Sequence, residues 1–326
     1  MIHYNIRNIF FATPIVFGLF ASGFASCSDE SRMENNLEAQ TRALAINIPL
    51  ASSDIPDTDL KVLVIDQDGK NVVGEVEIDT FESQKDSSQL IHGFISADCN
   101  AINNDKLNCK LVVLGNCEKV PETTAAIPKM KFEANPTHYP MYGAVSVEKT
   151  LDSRFEVMCA EVPLLYSGAM ITVQLGEFLN NEGISLGDVI LKNANKYGYI
   201  APNSATIYNT ATDLDQSKIF NPDDSAKEDI KLQKQANGAM IGFVPECTAP
   251  TGAPLEITVQ FIRDNKTYSG NFGNKLYLKD YATNKPFDII RGNHYIFTIR
   301  SLQTDVDLEV KVEKWNEVSP EDVIFK

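Results

Sequence analysis

The chain has 326 residues, with 44 Asp and Glu against 29 Lys and Arg, for a formal net charge of −15. Phosphate backbones are held by concentrated positive field, so this balance argues against nucleic acid as a partner. The length is too great for one small core and predicts two domains of ordinary size.

The first thirty residues carry an address. Arg7 leads into an apolar run over residues 9–24, broken only by small residues and Pro14. Phe24-Ala25-Ser26-Cys27 closes the run before Ser28-Asp29-Glu30. A charged start, a short greasy stretch and small residues at the break read as a secretory signal. The cysteine directly after the small residues makes the stretch resemble a bacterial lipoprotein signal. On that reading residues 1–26 are removed and Cys27 becomes the acylated first residue of the mature chain. Phe24 departs from the leucine usual at that place. No later apolar run reaches the roughly 18 residues of a membrane span, so acyl chains are the expected anchor. Residues 27–42 are polar and acidic with no apolar period, which predicts a flexible tether.

Alternation begins at residue 43. Leu44, Ile46, Ile48 and Leu50 share one face of a period-two stretch, the mark of a half-buried strand. Pro49 has no N–H to give a ladder, so this strand is expected at a sheet edge. Residues 52–59 are a loop by their turn residues, and 60–65 are a β-rich run. Asp68-Gly69 predicts a hairpin, with residues 71–78 as the returning strand. Further strands are expected over 89–96, 110–114 and 144–147, with prolines punctuating 121–140.

A second set starts near Phe155, with strands expected over 155–160, 169–175 and 186–191. Residues 201–235 read as a long polar surface excursion. The best helical stretch is 223–236, and it is mostly polar. Leu255, Ile257, Val259 and Phe261 alternate cleanly, as do Tyr295, Phe297 and Ile299, then Leu308, Val310 and Val312. Many short strands with turn signals predict an all-β chain of sandwiches. The composition break near residues 148–153 sets the expected domains at 43–150 and 151–326.

Six cysteines are present. With Cys27 assigned to lipid, Cys99, Cys109, Cys117, Cys159 and Cys247 remain, an odd number. An exported chain can form disulfides, and two of Cys99, Cys109 and Cys117 could staple a loop. Cys159 reads as a small buried hydrophobe.

No catalytic constellation stands out. His92, His138 and His294 are far apart without metal-ligand spacing, and no nucleophile elbow or phosphate-cradling Gly-rich loop occurs. Asp66-Gln67-Asp68-Gly69 lacks the downstream oxygen ligands of a calcium loop and reads as a turn. No enzyme, cofactor or metal is expected.

These features together resemble the fimbrillins, lipoprotein-derived subunits of type V pili in Bacteroidales-type bacteria. The resemblance rests on Cys27 with its acidic tether, the alternating strand 43–50, and Asp59-Leu60-Lys61-Val62-Leu63-Val64-Ile65 before an Asp-Gly turn. It continues in Tyr139-Pro140-Met141-Tyr142-Gly143, in residues 162–171 as an opening strand of a second domain, and in Ile290-Arg291-Gly292-Asn293-His294-Tyr295. Val310 to Trp315 before a short tail completes it. The resemblance implies two transthyretin-like β-sandwich domains in tandem and assembly by donor-strand exchange. In stalk subunits of that family an arginine-specific protease cuts the loop after the first strand, and another subunit's C-terminal strand fills the opened groove.

Here the loop 52–59 contains neither Arg nor Lys, and the nearest arginine, Arg42, precedes the strand. Cutting after Arg42 would free lipid and tether yet leave the first strand home. The tail keeps Trp315, Val318, Val323, Ile324 and Phe325 as a donor strand. The expectation is an outer-membrane, surface-exposed anchor or base subunit. Its partners would be other fimbrial subunits, the membrane through lipid, and a host or bacterial surface ligand. A stalk or tip fimbrillin and a glycan-binding surface lipoprotein are the alternatives.

Overall fold

In the computed structural model, almost every element is a strand. It describes residues 44–50, 60–83, 89–96, 99–103, 106–117, 119, 121–151, 156–202, 226–250, 253–268, 275–280, 283–301 and 307–314. The first eleven strands are β1 (Leu44–Leu50), β2 (Leu60–Asp66), β3 (Val72–Glu75), β4 (Glu77–Ser83), β5 (Gln89–Ile95), β6 (Ile102–Asn103), β7 (Lys106–Gly115), β8 (Lys131–Glu133), β9 (Met141–Thr150), β10 (Glu156–Met158) and β11 (Leu165–Tyr166). One sheet has the order β10-β1-β5-β4 and a second the order β11-β9-β7-β2-β3, with β6 beside β7. Their inward side chains share one core, from Leu44, Ile46 and Ile48 in the first sheet to Val62, Leu111 and Val145 in the second.

The expected returning strand over 71–78 is two strands. β3 pairs with β2, and β4 pairs with β5. Val76, between them, is buried and its N–H donates to Val62 O at 2.8 Å. The chain thus turns a corner from one sheet to the other. The Asp-Gly turn is present: Gly69 has φ 73° and donates to Asp66 O. A left-handed residue there suits glycine, which has no Cβ to clash.

The later elements are β12 (Ala169–Leu175), α1 (Glu177–Asn181), β13 (Ser185–Asn195), β14 (Tyr197–Tyr199), β15 (Lys227–Lys231), β16 (Gln233–Lys234), β17 (Met240–Val244), β18 (Glu256–Arg263), β19 (Lys266–Tyr268), β20 (Lys275–Tyr277), β21 (Asn293–Ser301) and β22 (Asp307–Lys314). They form a sheet β16-β17-β12-β21-β22 and a sheet β15-β13-β18-β19, with β20 beside β18. Ile171, Val173, Val189, Ile257, Val259, Phe297 and Ile299 are among the members of this second core.

Three expectations are corrected. The helical stretch 223–236 is strand where it is described, as β15 and β16. Ile230 and Leu232 are buried while Lys231 between them belongs to the solvent side. Two apolar residues at a spacing of two satisfy a strand and are too few for a helical stripe. Much of the predicted surface excursion, 203–225, lies outside the described residues, but Ala201 is fully buried. Residues 162–171 do not form one opening strand. Val162, Leu164 and Tyr166 pack in the first core, and β11 pairs with β9; β12 begins only at Ala169. The buried apolar residues of the first core run through Tyr166 and those of the second begin at Ala169, with Ile200, Ala201 and Phe243 returning to the first.

Both cores lie within one compact unit and meet at an aromatic knot. Phe243 of β17 stacks on Tyr139 at 4.8 Å between ring centroids and tilts against Phe132 at 5.4 Å. Asn135 clamps the same strand: its N–H donates to Phe243 O, and its Oδ1 accepts from Phe243 N. β8 pairs with β14 across the junction.

Candidate functional site: the first strand and its surroundings

β1 is an interior strand. On one side all seven residues pair antiparallel with β5, from Leu44 with Ile95 to Leu50 with Gln89. On the other side Ala45, Ile46 and Asn47 pair parallel with β10. Past the end of β10 the ladder continues, with Cys159 N donating to Asn47 O at 2.9 Å and Val162 N to Pro49 O at 2.8 Å. The edge expectation is therefore corrected. Within a strand a residue's N–H and C=O point the same way, so the Pro49 nitrogen faces the same side as its carbonyl. β10 stops at Met158, and beyond it the neighbour only has to donate to Pro49, which the proline can accept.

The four aliphatic residues read from the sequence all point inward. Leu44, Ile46, Ile48 and Leu50 are 1 %, 0 %, 0 % and 1 % exposed. The alternate face carries a polar row. His92 on β5 sits between the Asn47 amide oxygen, 2.6 Å from Nδ1, and the Glu82 carboxylate on β4, 3.2 Å from Nε2. Asn47 and His92 are register partners, as are His92 and Thr80. The row ties β1, β5 and β4 together on the outside while the aliphatics do so within.

Among the described residues, Cys99, Cys109, Cys117, Cys159 and Cys247 are all buried thiols. Cys109 on β7 has its thiol pushed up to about 12, by burial first and then by the neighbouring Cys159 and Cys99. Burial likewise raises Cys159 to about 12, with Lys149 opposing. Both are protonated packing groups, not nucleophiles. Cys117 lies apart from this trio and donates to Gly115 O.

The turn that resembled a family motif is a buried anchor. Arg291 is 1 % exposed; its guanidinium donates to Glu246 Oε2 at 2.8 Å, to Ile200 O at 3.0 Å and to Tyr199 O at 3.1 Å. Tyr295 closes the same turn, donating to Asp288 O and accepting from Ile290 N. Gly292 takes φ 70°, which lets the chain reverse there. Since Ile200 N donates to Met130 O, the anchor reaches the elements of the first core. Glu246 was not singled out by sequence, because 45 residues separate it from Arg291.

Cys27, Arg42 and the tail residues Trp315, Val318, Val323, Ile324 and Phe325 lie outside the described residues. The strand leading into that tail, β22, pairs with β21 along its length and forms the edge of its sheet. No group of three or more His, Cys, Asp or Glu side chains suited to a metal ion occurs among the described residues.

No family model matches the chain, and no curated protein sequence matches it. Solved structures do. The chain is similar to the tip fimbrial protein Mfa3 from Porphyromonas gingivalis with a C-terminal truncation, at 14 % identity and a TM-score of 0.53, covering 84 % of this chain and 100 % of that one. It is also similar to a putative cell adhesion protein from Bacteroides uniformis, at 14 % identity and a TM-score of 0.50, covering 84 % and 98 %. A fimbrial assembly protein from Parabacteroides distasonis aligns at 13 % identity with a TM-score of 0.50, covering 83 % and 99 %. The chain has the all-β sandwich fold of these proteins.

Proposed function

We propose that the chain is a structural subunit of a cell-surface fimbria, joined to neighbouring subunits by donor-strand exchange, and that it serves as the anchor or base. The fold likeness to fimbrial and adhesion proteins supports the fimbrial part. The observation that carries the anchor reading is β1: an interior strand with four aliphatics at 0–1 % exposure, followed by residues 51–59, which include no Arg or Lys. Burying four such side chains is worth about 6–12 kcal/mol gross. That matches the ~5–15 kcal/mol net stability of a whole domain, so a subunit that lost β1 would not rest with its groove empty.

In this reading Cys27 carries lipid, residues 28–42 span from the outer membrane to the first sandwich, and Arg42 marks an accessible processing point. The first sandwich ends before Ala169, the second follows, and the tail from Trp315 donates Val318, Val323, Ile324 and Phe325 to a neighbour's groove. Strand addition of this kind draws affinity from main-chain hydrogen bonds and specificity from alternate side chains. The function is structural, not enzymatic.

A tip role is the second reading, favoured by the likeness to a tip fimbrial protein. The two differ at the C-terminus, since an anchor donates its tail and a tip does not. The test is deletion of residues 316–326 in cells that make the other subunits. The anchor reading expects the truncated chain to disappear from unboiled high-mass polymer while remaining in the membrane fraction. Undiminished incorporation refutes tail donation.

A further inference from the structure

A groove of about 790 Å³ lies against the outer face of the sheet β16-β17-β12-β21-β22, far in sequence from β1. Its floor is a set of cross-strand rows. Gln174, Thr298 and Glu309 are neighbours on β12, β21 and β22, and Ile296 and Lys311 are neighbours in the next row. Gln174 Nε2 donates to Thr298 Oγ1 at 2.9 Å, which fixes both side chains. One wall is α1, held down by buried Leu179 and by Gly176 N on Ile299 O. From that wall Phe178 stands 66 % exposed, the most exposed of the large apolar side chains described. The β16–β17 turn, with Asn237 and Gly238, also lines the groove.

Two of the groove's three carboxylates pair with its two cations, and Glu177 on α1 adds the third. Arg300 pairs with Glu309, and Lys311 pairs with Glu313. The lining therefore leaves no cation bare for an anionic ligand, and the net charge of −15 further repels one. It offers many paired donors and acceptors beside one apolar ring. A strand from another protein would seek backbone groups at a sheet edge, whereas this floor is made of side chains on a sheet face. The volume is within the ~300–1,000 Å³ range of ligand sites.

We propose that this groove binds an uncharged oligosaccharide. A sugar ring stacks its apolar C–H face on Phe178, and its hydroxyls meet the amides of Gln174, Asn180 and Asn237 and the ion-paired carboxylates and guanidinium. Hydroxyls both donate and accept, so they match a mixed lining of this kind without a net charge. The inference does not depend on the fimbrial reading: it concerns β12, α1, β21 and β22, and its test needs no other subunit.

The test is an NMR titration of the mature chain bearing Cys27→Ser with cellohexaose, maltohexaose, mannohexaose, xylohexaose and chitohexaose. Saturable shifts confined to groove residues are expected for at least one, with a dissociation constant of about 0.01–1 mM. Phe178→Ala should weaken that binding at least tenfold and Gln174→Ala at least fivefold, with thermal unfolding unchanged for the exposed Phe178→Ala. Phe94→Ala, an equally simple aromatic truncation on another sheet, should leave affinity unchanged. Three results overturn the proposal: no saturable binding of any of the five at 5 mM, binding indifferent to both groove variants, or tighter binding of a heparin hexasaccharide than of every neutral probe.

Discussion

Truncating Ile46 to Ala probes the first strand directly. Ile46 is 0 % exposed and lies in register between Gly93 of β5 and Val157 of β10. Its replacement removes three carbons from the centre of the first core. The neighbour at Gly93 has no side chain to move into the gap, and the space beside it is already taken: a Cβ there would come within 2.6 Å of Val76 Cγ1 and 2.7 Å of Glu77 O. The site can collapse little, so the cost should fall in the upper part of the range for such truncations, about 3–5 kcal/mol. Ile46→Val, which removes one carbon, should cost about 0.5–1.5 kcal/mol. Val312→Ala on β22, 47 % exposed, should stay within about 0.5 kcal/mol of the parent. Urea unfolding followed by intrinsic fluorescence gives all three values, provided the slope with denaturant is unchanged. A loss below about 1 kcal/mol for Ile46→Ala at unchanged slope would show that β1 does not occupy the core in solution.

Three further outcomes are expected. His294, hydrogen-bonded to Thr172 at 2.8 Å, has its pKa lowered from 6.5 to about 4 by burial and by Lys311. The folded state thus prefers neutral imidazole while the unfolded chain takes up a proton near pH 6.5. The stability is fully present above that pH and declines by about 3 kcal/mol as pH falls towards 4. Urea midpoints at pH 7 and 4.5 should show a gap that narrows in His294→Gln. Glu246→Ala strands the Arg291 guanidinium in the interior and should cost about 3–5 kcal/mol in urea, with Glu246→Gln recovering only part. Cys109 and Cys159, with thiols near 12, should resist iodoacetamide at pH 8 in the native protein and react once unfolded, read by peptide mass spectrometry.

The alternating strands were legible because their pattern is local. Leu44 to Leu50, Leu255 to Phe261 and Tyr295 to Ile299 each show period two with the inward face buried, and their strands form where expected. What could not be read depends on partners. Pro49 looks like an edge residue until the short β10 beside it is known. β10 falls within the strand expected over 155–160, but its parallel place beside β1 has no local mark, and β11, with 2 residues, rests on the backbone groups of β9. Gly143 illustrates the same limit, because a Cβ there would come within 2.8 Å of Pro163 O, a contact no local pattern announces. The groove beneath Phe178 gathers residues from 174 to 313, and the Arg291–Glu246 pair joins two connecting segments 45 residues apart. Side chains brought together over such separations leave only isolated polar letters in the chain.

The mature N-terminus and its lipid, determined by mass spectrometry on protein taken from cells, bear most directly on whether the leading strand stays with its own sheet. Retention predicts a chain that begins at an acylated Cys27, or at Ala43 after processing, with β1 present in either case. A chain that begins within residues 53–60 would mean that β1 has departed, and the closed-groove account would fall with it.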